Sequence, residues 1–194
     1  VPDSAKPQLI ELLASNPVRI KITKKRLTKH GDFRKLVSGI SIITINYTTN
    51  PYRFLITLLH ELAHFKVFQR CDHYLKPHGE EWRTEYKSIL FPFLNPCIFP
   101  DPLLSTLANH MKRPKASTDS DFKLVMSLRE YDPETFYTPV FKLEKGQQFK
   151  LSNGKEFIKL KKRRTRIECK EIISGKIYLF SAHAEVIPSS SLAF

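Results

Sequence analysis

The stretch TLLHELAHFKVFQRCDHYLKPHGEEW, Thr57 to Trp82, holds four of the chain's seven histidines. His60 and His64 are four residues apart. On a helix their side chains project the same way, one turn apart. The flanking TLL and LAHF are apolar enough to bury that helix. Polar side chains in a buried helix are costly unless they carry chemistry.

Two imidazoles at this spacing suit one zinc ion. Glu61 lies between them, offset by one residue, and reaches a water rather than the ligand direction, as a general base must. This is the HExxH arrangement of zinc peptidases. A catalytic zinc takes a third protein ligand and keeps one position for water. The metzincin pattern is excluded, because Val67 and Arg70 stand where it requires glycine and histidine. Glu81 and Glu85 on a following helix, and His78 between Pro77 and Gly79, are the candidates the residues leave open. His73 reads as an exposed loop residue, and His30, His110 and His183 as structural.

Working outward, Asn50 and Pro51 cap and open the helix, which the pattern predicts over Tyr52 to Gln69. Upstream, Gln8 to Ala14 reads as a short amphipathic helix. Val18–Arg26 and Ile40–Tyr47 read as strands, with HGDF as a turn between them. Downstream, EEWRTEYKSIL reads as a helix, FPFLNPCIFPDP as irregular and LLSTLANHM as a short helix. DFKLVMSLREY is a further helix, capped by Ser120 or Asp119. From Thr138 the pattern turns to strands, folded around Ser-Asn-Gly and Ser-Gly turns. The order implies an α+β fold with a small C-terminal all-β appendage.

The net charge of +13 is unevenly placed. Residues 1–50 carry an excess of +6, residues 51–139 none, and residues 140–194 an excess of +7. Segregated positive charge points to a polyanionic partner, nucleic acid first. In the last segment, Lys159, Lys161, Lys162, Arg163, Arg164 and Arg166 are candidate phosphate contacts. Phe149, Phe157, Tyr178 and Phe180 beside them read as the core of the small sheet. Three cysteines, Cys71, Cys97 and Cys169, show no CxxC spacing. That argues against a disulfide framework and a cysteine zinc site, and each reads as a small buried hydrophobe. No signal peptide or membrane span is read, which favours the cytoplasm.

The two pieces TLLHELAHF and PHGEEW together resemble the SprT-like zinc metallopeptidases, whose relatives include the Spartan-type DNA–protein crosslink proteases. RLTKHGDFR and SIITINY are similar to that family's lead-in hairpin. The resemblance implies one catalytic Zn2+ on His60, His64 and His78, with Glu61 as base. It implies a minimal zincin-like domain over 1–105, with substrate backbone pairing to a strand edge near Ile40–Asn46, and Trp82 as a packing residue. Residues 106–137 are then a helical connector. Residues 138–194 are a basic, degenerate zinc-ribbon-like β appendage that keeps only Cys169. The function expected is a zinc-dependent endopeptidase acting on nucleic-acid-associated proteins, with protein substrates and DNA as partners. The alternative is a nucleic-acid or nucleoprotein binding module whose zinc site is idle or structural.

Overall fold

The computed structural model describes residues 1–24, 26, 29–70, 76–115, 118–133, 137–164 and 166–189. It is mixed α and β, in two compact units, Val1–Pro133 and Glu134–Phe194. Among the described residues, no helix is long and apolar enough to cross a membrane.

The first unit opens with α1 (Lys6–Ala14), then β1 (Arg19–Thr23), β2 (Gly31–Lys35) and β3 (Ser41–Asn46). β1 pairs parallel to β3, and β2 pairs antiparallel to it, in the order β1-β3-β2. This corrects two expectations. HGDF does not form a turn; its glycine begins β2. The strand at Ile40–Asn46 is central, with both edges paired, so it has no edge to offer a substrate backbone. The free edge over the helix belongs to β2.

Helix α2 (Pro51–Arg70) follows. Asn50 caps it, its Oδ1 accepting from the Arg53 N–H at 3.0 Å. The Asn50 amide also donates to the Leu128 carbonyl and to Asp132, 2.7 Å each, and Arg53 pairs with Asp132 at 2.9 Å. The same cap thus anchors α2 to the end of α5 (Phe122–Arg129). The middle of α2 is buried almost all round, from Leu55 to Leu59 and at Glu61, Leu62, Ala63 and Phe65. Its neighbours are β2, β3 and α3 (Glu80–Leu90). Glu85, buried on α3, pairs with Lys66 at 3.0 Å and with Arg70, and so ties the two helices together.

α4 (Leu103–Lys112) and α5 supply Leu103, Leu107, Met111, Leu124 and Leu128 to the same core as α2. Residues 106–133 therefore belong to the first unit rather than standing apart as a connector. The α5 cap is Asp121, one residue beyond the expected pair: its side chain accepts from the Leu124 N–H while also bonding buried His110 at 2.9 Å. A residue that satisfies two partners displaces a cap that satisfies one. His110 is structural, as expected.

The second unit is a six-stranded sheet, ordered β4-β9-β5-β6-β7-β8. Its strands are β4 (Thr138–Pro139), β5 (Gln148–Lys150), β6 (Glu156–Lys162), β7 (Arg166–Glu171), β8 (Ile177–Ser181) and β9 (Glu185–Pro188). It is larger than a ribbon of two hairpins. Val140, Leu143, Phe149, Phe157, Ile167, Cys169 and Val186 form its core, with Phe180 packed against them. Apolar side chains stabilise it where a zinc ribbon would use metal. Cys169 is buried as expected, Cys97 is exposed, and Cys71 lies outside the described residues.

On the outer face of the first sheet, Asp32 is surrounded by Arg26, Lys29, Arg34 and the Thr44 hydroxyl. Burial pushes its carboxyl up, but the hydrogen bonds from Thr44, Arg26 and Lys29 outweigh it and hold the pKa at about 2. A depressed carboxyl stabilises the fold above its unfolded value, about 3.9, and loses that contribution as pH falls through the folded value. Acid titration between pH 4 and 2 is therefore expected to cost up to about 2 kcal/mol through Asp32. In Asp32→Asn, denaturant unfolding followed across that window should show a shallower acid limb.

Candidate metal centre

His60 and His64 stand on successive turns of α2, and His78 reaches them from the turn ahead of α3. The Gly79 N–H closes that turn on the Lys76 carbonyl at 2.9 Å. Pro77 takes its second position and His78 its third, where φ is 59°. Such a φ is normally left to glycine or asparagine, so the backbone at His78 is strained. Gly79 is required by space, since a Cβ there would lie 2.9 Å from the Lys76 carbonyl oxygen. The strained turn aims the imidazole inward: His78 Nε2 lies 3.1 Å from His60 Nε2 and 3.0 Å from His64 Nε2.

Three ring nitrogens all lie within 4.8 Å of one another. Zinc bound tetrahedrally at its usual distances sets its ligand nitrogens roughly 3.3 Å apart, close to the spacing here. Burial pushes the pKa of all three down, His60 well below its ordinary value and His64 to about 4. The neighbouring imidazoles add to this at His60 and His64, and the Arg83 cation adds to it at His78. Neutral imidazoles facing one another with lone pairs are unfavourable unless a cation stands among them. The donor set fits zinc.

Trp82 backs the cluster. Its ring centroid lies 4.6, 5.3 and 4.7 Å from those of His60, His64 and His78. Tyr86 stacks behind it at 4.9 Å. Trp82 packs, as expected, and closes one side of the site to water. Of the other two ligand candidates, Glu85 is committed to Lys66 and Arg70, and Glu81 is exposed near Gly79. Neither joins the cluster among the described residues. His73 and Tyr74 lie outside them.

Glu61 is buried on α2 where β2 crosses it. A Cβ on Gly31 would lie 2.8 Å from Thr57 Cγ2 and 2.9 Å from Glu61 Cγ. Only glycine lets the strand come this close, which is why HGDF sits in a strand. Burial raises the Glu61 carboxyl to about 7, with the Asp32 charge adding to the rise and the Phe33 backbone N–H opposing it. A buried carboxyl whose pKa lies near neutrality, next to His60 on the helix, can exchange a proton. Sequence reasoning found Glu61 but missed Gly31; the lone glycine inside a strand-length run was the signal.

Of the side chains near enough in sequence to assist an oxyanion, Tyr86 is fully buried and its hydroxyl has no bonding partner among the described residues. Arg83 is half-buried, and its charge reaches His78.

In the second unit, the basic candidates divide. The Lys159 ammonium donates to the Phe141 and Leu143 carbonyls, and Arg163 pairs with Glu168 through Nε at 2.6 Å. These two are engaged within the sheet. Lys161, Lys162, Arg164 and Arg166 are exposed at the β6–β7 hairpin. Arg164 lies in the turn rather than on a strand face, because the Arg163 N–H closes on the Arg166 carbonyl at 2.8 Å. Phe149 and Phe157 are buried core, as expected.

The purified chain should hold about one zinc ion, and His78→Ala should lose zinc at least 100-fold more readily than Glu81→Ala when dialysed against a chelator. Full zinc retention by His78→Ala would remove it from the ligand set. Tyr86→Phe removes an unbonded buried hydroxyl, so its thermal stability should match the wild type or exceed it by up to about 1 kcal/mol, with zinc content unchanged. A marked loss in either quantity would assign the hydroxyl a partner. The chain matches no family model, no curated protein and no solved structure, so the reading of this centre rests on its own residues.

Proposed function

We propose that the first unit is a zinc-dependent endopeptidase of the SprT-like kind and that its substrates are proteins held on nucleic acid. The observation that carries the first part is the convergence of His60, His64 and His78 Nε2, with the buried Glu61 next to His60 on the same helix. His60, His64 and His78 would hold zinc, which would supply a Lewis acid toward a scissile carbonyl and toward water. Glu61 takes the proton from the attacking water and passes it to the leaving amine. Trp82 keeps solvent from the back of the imidazoles and fixes their orientation. The free edge of β2 offers backbone groups to an extended peptide, a mode that reads main chain more than side chains. A site with three protein nitrogens and a neighbouring base favours catalysis over a structural role, which takes four protein ligands.

The second part rests on the exposed cations Lys161, Lys162, Arg164 and Arg166, since such a cluster attracts phosphates. It also supports the alternative, a nucleic-acid-binding module with an idle metal site.

Cleavage of a DNA-binding protein by the zinc-loaded chain, with and without single-stranded DNA, separates these readings, with Glu61→Gln as the blank. Glu61-dependent cleavage is expected, stimulated by DNA, and at least 100-fold weaker in Glu61→Gln. Reversing Lys161, Lys162, Arg164 and Arg166 to glutamate should abolish the stimulation while leaving basal cleavage. Glu61-dependent cleavage indifferent to DNA would leave a general peptidase. DNA binding without cleavage would leave the binding module.

A further inference from the structure

Strand β2 lies along α2 like a ruler. Gly31 meets Thr57 and Glu61. Phe33 packs on Phe65 and Phe68, with ring centroids 5.8 and 5.6 Å apart. The Lys35 ammonium sits 5.2 Å from the Phe68 ring centroid. Gly31, Phe33 and Lys35 thus share the α2 side of the strand, as alternate residues must. From Gly31 to Lys35 is about 13 Å at the strand rise.

At the Lys35 end, a groove of about 890 Å³ opens between the end of the sheet and the C-terminal half of α2. Ile40, Phe65 and Phe68 give it apolar walls, and Lys35, on the α2 face of the sheet, brings a cation to it. Its ten lining residues include no carboxylate, and no ion pair is formed by Lys35 among the described residues. Phe68 is 44% exposed there, an aromatic face left open to a ligand.

We propose that this groove is an acid-selective specificity pocket of the peptide cleft, taking the side chain of a glutamate or aspartate on an extended substrate. The inference rests on the peptidase reading of the neighbouring site. A peptide added antiparallel to the free edge of β2 turns alternate side chains toward α2, in step with Gly31, Phe33 and Lys35. The residue beside Lys35 then lies about four positions to the N-terminal side of the residue beside Gly31 and Glu61. Opposite charges across neighbouring strands attract, so Lys35 selects a carboxylate there. The methylene stem of a glutamate reaches Phe68, whereas that of an aspartate is shorter, so glutamate is preferred.

The test uses the full chain, zinc-loaded, as Glu61→Gln, so that peptides bind without being cut. Short unstructured peptides carrying one glutamate, moved position by position, are titrated by fluorescence anisotropy. One position should bind roughly three- to fivefold tighter than the rest, the range of an exposed ion pair. Adding Lys35→Glu should abolish that preference and transfer it to a lysine at the same position. Lys35 is exposed, and an unchanged unfolding midpoint shows that the fold survives. A flat glutamate scan overturns the pocket. So does a scan that Lys35→Glu leaves unaltered. Loss of single-stranded DNA binding in Lys35→Glu alongside a flat scan assigns the groove to nucleic acid instead. The same peptides given to the wild type report on the peptidase separately. A binding preference without cleavage removes the peptidase reading and leaves the pocket, and cleavage with a flat scan does the reverse.

Discussion

Helix α2 is gripped from two sides, and the three imidazoles meet only where both grips hold. On one side β2 lies so close that a single Cβ at Gly31 would collide with Thr57 and Glu61. On the other, α3 lays Trp82 and Tyr86 against His60 and ties Glu85 to Lys66 and Arg70. The first contact buries Glu61 and raises its proton affinity. The second fixes the distance from which His78 reaches across. Slack in either would move an imidazole out of the cluster, and a tetrahedral metal site would not tolerate that.

The burial that holds the helix also tunes the chemistry. The same low-dielectric surroundings keep three imidazoles neutral and leave one carboxyl half-willing to hold a proton. Neutral imidazoles bind cations, and a carboxyl near neutrality exchanges protons at little cost. Backbone strain at His78 belongs to the same economy. A positive φ outside glycine persists only when its surroundings impose it, and here it directs the third imidazole into the cluster.

Charge is organised around this centre rather than through it. In the first unit, Arg26, Lys29 and Arg34 converge on Asp32 on the outer face of the sheet, while Lys35 reaches the groove on the α2 face. In the second unit, Lys159 and Arg163 are engaged by carbonyls and by Glu168, and Arg166 by the Leu179 carbonyl, which leaves Lys161, Lys162 and Arg164 exposed at one hairpin. Counting basic residues along a strand overstates a phosphate-binding surface, because bonding inside the fold has first claim on each of them.

Periodicity along the chain sufficed for much of this. A four-residue histidine spacing requires only a helix to become a paired ligand, and Asn50-Pro51 marks where that helix begins, so His60, Glu61 and His64 were legible as a unit. The α+β order, the two C-terminal hairpins and the packing role of Trp82 were legible for the same reason: each depends on neighbours a few residues away. Spacing alone did not single out His78, because Glu81, Glu85 and His78 are equally near in sequence, and only the family resemblance pointed to it. Only the packing of α3 on α2 turns one toward the cluster and leaves Glu85 to Lys66 and Arg70. Nor was the free strand edge legible, since strand order is set by pairing between segments and places Ile40–Asn46 at the centre. Gly31 reads as a turn residue in isolation, and it becomes a strand residue only because a helix passes beneath it at a distance no side chain allows.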